Sequence, residues 1–94
     1  MQAPIAATKF TVYGRVQGVG FRWSTRRVAG ELDLAGWARN RPDGSVETWA
    51  QGSAEAITQM ASFLEQGPAG ARVAAVEAEQ VEPDHLLEGF QILF

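Results

Sequence analysis

No cysteine occurs among the 94 residues, which removes a disulfide frame, a thiolate nucleophile and a sulfur ligand for metal together. The only histidine is His85, so several nucleophilic and metal-based chemistries lack material. No stretch approaches the ~18 consecutive apolar residues of a spanning helix. The opening MQAPIAATK has neither the basic start nor the long apolar centre of a signal peptide, so the chain reads as cytoplasmic and without a membrane partner. Basic residues are also in the minority, 8 against 11 acidic, for a net charge of −3. That balance opposes a broad nucleic-acid surface, because polyanion binding draws most of its affinity from lysine and arginine.

What is present suits one compact unit. Aliphatic and aromatic residues make up 46% of the chain and charged residues 20%, far from the charge-rich profile of disorder. A chain of this length buries a single core, so residues 1–94 are expected to form one domain, monomeric by default, with 1–7 flexible. The positive charge is concentrated. Between positions 15 and 41 stand Arg15, Arg22, Arg26, Arg27, Arg39 and Arg41 against Glu31 and Asp33, a local +4 on a remainder of −7. A positive spot on an acidic body suits a small anion. Arg26 and Arg27 read more simply as the solvated face of a helix.

Local patterning supplies the elements. Lys9 to Val16 alternates, with Phe10, Val12 and Val16 opposite Thr11, Tyr13 and Arg15, as in a strand with one buried face. From Phe21 the apolar spacing becomes helical through Thr25, Val28, Ala29 and Leu32, and ends near Asp33, a residue that tolerates left-handed geometry. GWARN and SVETWAQG flank RPDGS, a turn signal, and make a hairpin. Ser53 is placed to cap a second helix carrying Ile57, Met60, Ala61 and Leu64, which Gly67-Pro68 ends. Val73 to Val81 is extended, and Phe90, Ile92 and Phe94 alternate in a last short strand. The order β-α-β-β-α-β with a short C-terminal strand predicts an α+β ferredoxin-like two-layer sandwich, two helices on one face of a mainly antiparallel sheet. That fold hosts carriers, RNA binders, regulators and enzymes, and decides no function.

The chemistry concentrates in GRVQGVGFR, Gly14 to Arg22, with three glycines in seven residues where the first strand gives way to the first helix. Gly18 and Gly20 permit positive φ, so successive N–H groups can form a concave nest that accepts an anion. The unpaired N–H groups and dipole of the next helical turn add to it. Arg22 can fold back over the loop and offer a planar fork to two phosphate oxygens. A tight strand-to-helix turn with no ligand is an equally good reading of the glycines alone. The nucleotide P-loop is a poor match, since no Gly-Lys-Ser/Thr follows, and the dinucleotide fingerprint lacks its third glycine. A cysteine-based phosphatase loop is excluded.

The unbroken run GRVQGVGFR, followed by GWARNRPDGSVE at Gly36 to Glu47, GPAGARV at Gly67 to Val73 and GFQIL near the end, resembles the acylphosphatases over nearly the whole chain. The resemblance implies hydrolysis of the carboxyl-phosphate bond of a small-molecule acyl phosphate, without metal or other cofactor. It implies that Arg22 binds phosphate with the N–H groups of Gln17, Gly18, Val19, Gly20 and Phe21, and that Asn40 positions the attacking water. An amide can orient water without titrating, yet Asn40 taken by itself reads as a turn residue ahead of Arg41-Pro42. Trp23 stands where tyrosine or phenylalanine is common, Asp33 replaces a frequent glycine, and the tail QILF lacks a basic residue often found there. Two other readings stay open: a non-enzymatic anion-binding module on the same fold, and an RNA-binding sheet, which the acidic balance opposes.

Overall fold

The computed structural model describes residues 5–94, in the order β1 (Ala6–Arg15), α1 (Phe21–Glu31), β2 (Ala35–Asn40), β3 (Val46–Gly52), α2 (Ala54–Gln66), β4 (Arg72–Val81) and β5 (Phe90–Leu93). The five strands form one sheet in the order β4-β1-β3-β2-β5. Three of its pairings are antiparallel, and β5 joins β2 in parallel. Helix α1 lies over β2 and β5, α2 lies over β1 and β4, and the two meet each other above β3. This is the ferredoxin-like sandwich expected from the element order.

The core forms between the helices and the sheet face they cover. Phe10, Val12, Val46 and Ala50 point up from the sheet and meet Phe21 and Ala29 of α1 and Ile57, Met60 and Leu64 of α2. The Phe21 and Phe63 rings, 6.3 Å apart and tilted, join the two helices. Helix α1 ends as its sequence suggests. Asp33 takes φ 55, and the N–H groups of Asp33 and Leu34 donate to the carbonyls of Gly30 and Ala29. That is the paired-bond C-cap usually built on glycine, here with a short polar side chain in its place. At α2 the Ser53 hydroxyl accepts from the Ala56 N–H at 3.1 Å, and Gly67, at φ 70, closes the other end.

Strand β1 begins earlier than the alternation indicated. Ala6 and Ala7 already pair with Gly52 and Gln51, while residues 1–4, the rest of the segment expected to be flexible, lie outside the described residues. The second sheet face also departs from simple alternation. Thr11, opposite the apolar face of β1, and Glu47, a charged residue next to Val46 in β3, are both buried. Glu47 accepts from Arg39 at 2.6 Å and has Lys9 and Arg41 within 3.8 and 3.9 Å. Trp37 and Trp49 stack beside this cluster at 6.2 Å. Long side chains thus roof the face that no helix covers.

Thr48, fully buried between Phe10 and Ala38 in the sheet register, has a hydroxyl with no hydrogen-bond partner. Valine keeps the branched shape and removes the unmet polar group. Thr48→Val is expected to raise stability by roughly 1 kcal/mol, read as a higher denaturant midpoint at unchanged m-value.

Candidate active site

The three glycines of the first motif have different physical jobs. A Cβ on Gly14 would sit 2.1 Å from the Arg72 carbonyl oxygen, at the irregularity where β1 and β4 shift register, so Gly14 is a packing requirement. At Gly18 and Gly20 an added Cβ would meet nothing within 4 Å, but their φ values are 77 and 74. What they supply is the left-handed backbone, and with it an open concavity. Val16 and Phe21, 1% and 2% exposed, bury the two ends of the loop and hold its span fixed.

Between those anchors the backbone donors are left free. Gly20 is the N-cap of α1 with no side-chain hydrogen bond, no acidic residue stands in the first turn, and the first bond of the helix runs from the Ser24 N–H to the Gly20 carbonyl at 3.0 Å. Among the described residues, none of the N–H groups from Gln17 to Trp23 has a backbone or side-chain acceptor. Successive donors beside a helix N-terminus are suited to a tetrahedral oxyanion.

An open cleft of about 200 Å³ lies against this turn, lined by Gly18 and Gly20, by Arg22 and Trp23 of α1, by Asn40 of β2 and by Ile92 and Phe94 at the β5 end. Arg22 and Asn40, far apart in sequence, therefore share one wall. Phe21 also borders the cleft, although its ring belongs to the core. Gln17 and Val19 do not border it: the Val19 side chain packs toward the core, and the Gln17 side chain points to the hairpin. Gln17 Nε2 donates to the carbonyls of Arg41 and Ser45 at 2.8 and 3.0 Å, tying the loop to the turn that follows Asn40. That turn is itself closed by the Arg41 N–H on the Ser45 carbonyl, 2.8 Å.

Arg22 is bracketed in a way that the sequence did not indicate. Its Nη1 donates to the Leu93 carbonyl at 2.9 Å, and its guanidinium carbon lies 4.9 Å from the centre of the Phe94 ring. A backbone carbonyl carries no side-chain signature, so the only legible hint was the alternation that ends in Phe94. The other arginines of the basic stretch divide up. Arg39 and Arg41 face Glu47 on the far side of the sheet, and Arg27 pairs with Glu31 along α1 at 3.4 Å. Among the described residues, Arg22 is the one cation lining the cleft, and no carboxylate or imidazole lines it. Nor, among the described residues, do three or more His, Cys, Asp and Glu side chains cluster as a metal site would need.

Two titrating groups lie outside the cleft. The Asp43 carboxyl is held below its ordinary range, first by the Ser45 hydroxyl and then by the Ser45 N–H, which keeps the hairpin turn closed. The Tyr13 hydroxyl is pushed up, chiefly by its hydrogen bond to Glu77 at 2.8 Å.

The sequence profile of the family described as Acylphosphatase matches residues 8–92. An acylphosphatase of Thermococcus kodakarensis is 49% identical over 82 residues, covering 87% of this chain and 89% of the relative. One from Mesorhizobium japonicum is 53% identical over 76 residues, 81% of each chain. The crystal structure of an acylphosphatase from Bacillus subtilis superposes with a TM-score of 0.90 at 31% identity, covering 95% of this chain and 99% of that one.

Gln17→Ala deletes the amide that couples loop and hairpin and leaves the two carbonyls to water. The expected loss is about 1 kcal/mol of stability, with amide exchange accelerating in the 40–45 hairpin and at the loop while β4 is unaffected. Uniform acceleration across the sheet would contradict a local tie.

Proposed function

From the premise that this chain belongs to the acylphosphatase family and hydrolyses the carboxyl-phosphate bond of acyl phosphates, we propose that Arg22 and the N–H groups of Gln17 to Phe21 hold the phosphoryl group while Asn40 aims the attacking water. The observation that carries this reading is the meeting of unpaired N–H donors, one guanidinium and one carboxamide on a single cleft. With Nη1 given partly to Leu93, the Nη2 and Nε edge of Arg22 remains for two phosphate oxygens. The bracket restricts the side chain before substrate arrives, which lowers the ordering cost at binding.

The reaction is an in-line displacement. Water oxygen bonds to phosphorus as the bond from phosphorus to the acyl oxygen breaks, giving a carboxylate and inorganic phosphate. Charge in such a transition state is spread over the equatorial oxygens, where a fixed ring of N–H donors and a guanidinium stabilise it. Asn40 orients the water through its carboxamide and cannot act as a base near neutral pH. With no titrating base lining the cleft among the described residues, a phosphate oxygen of the substrate takes the proton.

The carboxylate leaves readily, so neither a metal nor a strong general acid is called for, and we take the reaction to be metal-independent. We further propose that residues 1–94 act as one acylphosphatase domain, a cytoplasmic monomer whose partner is a small-molecule acyl phosphate and neither nucleic acid nor membrane. Two observations bear on the absence of a membrane span and of a broad basic surface. No helix among the described residues is long and apolar enough to cross a membrane, and two arginines of the basic stretch, Arg39 and Arg41, already face Glu47.

Arg22→Lys replaces the fork by a point charge. It is expected to lower kcat/KM by about 10² to 10³ and to weaken competitive inhibition by inorganic phosphate, with the fold retained. Asn40→Ala is expected to cut kcat by a similar factor while the phosphate inhibition constant stays within about a factor of two, the pattern of an interaction made only in the transition state. Undiminished phosphate binding in the first variant, or lost binding with kcat preserved in the second, would reverse these roles. Turnover should be indifferent to a chelator, measured with EDTA against an untreated control.

A further inference from the structure

The cleft has an uneven lining. Arg22 is its only charged side chain and Asn40 its only other polar one among the described residues, while Trp23, Ile92 and Phe94 form the outer wall. Four large apolar side chains remain exposed among the described residues, and two of them, Trp23 at 59% and Phe94 at 105%, stand on this one rim. A single exposed apolar side chain is ordinary, but a pair flanking one concave site marks a contact surface. Trp23 is not there for the core: the buried residues of α1 are Phe21, Thr25 and Ala29.

We propose that Trp23, with Phe94 and Ile92 beside it, is a platform for the acyl portion of the substrate, and that the substrate class is acyl phosphates whose acyl group is apolar or aromatic. The inference rests on the reading of the site given above. Once the phosphoryl group occupies the N–H cradle and Arg22, and Asn40 holds the water, the one side-chain donor left among the described residues lining the cleft is the neutral indole N–H of Trp23, and no second cation is there to meet an anionic group. What faces the acyl side is indole, phenyl ring and aliphatic branch. An apolar acyl group laid on them removes apolar area from water on both partners, whereas a carboxylate there would lose hydration for at most one neutral donor. Contacts of this kind are as strong in the ground state as in the transition state. They therefore register in KM and kcat/KM for one acyl group against another, and little in kcat.

The test compares kcat/KM for benzoyl phosphate and acetyl phosphate in the unaltered protein, Trp23→Ala and Trp23→Phe, with inorganic phosphate as competitive inhibitor. Taking the ratio between proteins cancels the intrinsic reactivity of the two compounds. The expected result is that the benzoyl-to-acetyl ratio falls about tenfold in Trp23→Ala and is mostly kept in Trp23→Phe. The phosphate inhibition constant should stay within about a factor of two in both variants. An unchanged ratio with turnover intact overturns the platform and leaves the hydrolytic reading standing. An equal fall for both compounds with weakened phosphate inhibition also overturns it, by placing Trp23 in the cradle's support. A higher kcat/KM for succinyl phosphate than for benzoyl phosphate has the same force, while hydrolysis of neither compound by the unaltered protein removes the reading on which the platform rests.

Discussion

Unpaired backbone donors are unstable company for a folded chain, and the molecule is arranged so that one run of them, Gln17 to Trp23, stays unpaired among the described residues. Buried anchors at Val16 and Phe21 prevent the loop from relaxing onto the sheet, and left-handed residues at Gly18 and Gly20 prevent it from continuing as strand or starting as ordinary helix. The usual remedy at a helix start is a serine or aspartate that accepts from the first turn. Helix α2 has it in Ser53; α1 has glycine instead. The difference between these two helix starts, in the same small protein, separates a joint closed by its own side chain from one whose donors stay open, as the proposed phosphate cradle requires.

Charge is distributed to the same end. A carboxylate as buried as Glu47 must be compensated, and Lys9, Arg39 and Arg41 stand around it on the sheet face away from the helices. The Trp37–Trp49 stack and the Arg39 guanidinium, 5.3 Å from the Trp37 ring, complete that layer. The consequence for the cleft is economy of charge. Arg39 and Asn40 are neighbours in sequence, but strand alternation sends one to the carboxylate and the other to the cleft, so Arg22 is the one arginine of the described residues left facing the cleft.

Much of this was legible in the residues because the cues were local. Asp33 as a left-handed helix exit, Ser53 as a cap and Gly67 as a stop each depend on a few neighbours, and each holds in the structure. The glycine loop beside a helix start was legible for the same reason. The strand alternation was less reliable at Thr11 and Glu47, since burial on the uncovered face depends on long side chains arriving from three other positions. Two features of the site were invisible for a related reason. Gln17 acts through carbonyls of the hairpin, and Arg22 leans on the carbonyl of Leu93, partners whose side-chain identity says nothing about the bond. A motif names the groups that face the ligand; what holds those groups is written in main-chain atoms distant in sequence.

The support under Arg22 comes from a four-residue strand at the margin of the sheet, hydrogen-bonded within the sheet to β2 alone and packed under α1. Marginal strands open more readily than central ones, by local fluctuations that leave the rest of the molecule folded. Each such opening releases the guanidinium into a wider set of rotamers. On the role proposed for Arg22, turnover is therefore thermally softer than the architecture, and warming should erode it through β5 before the sandwich itself comes apart.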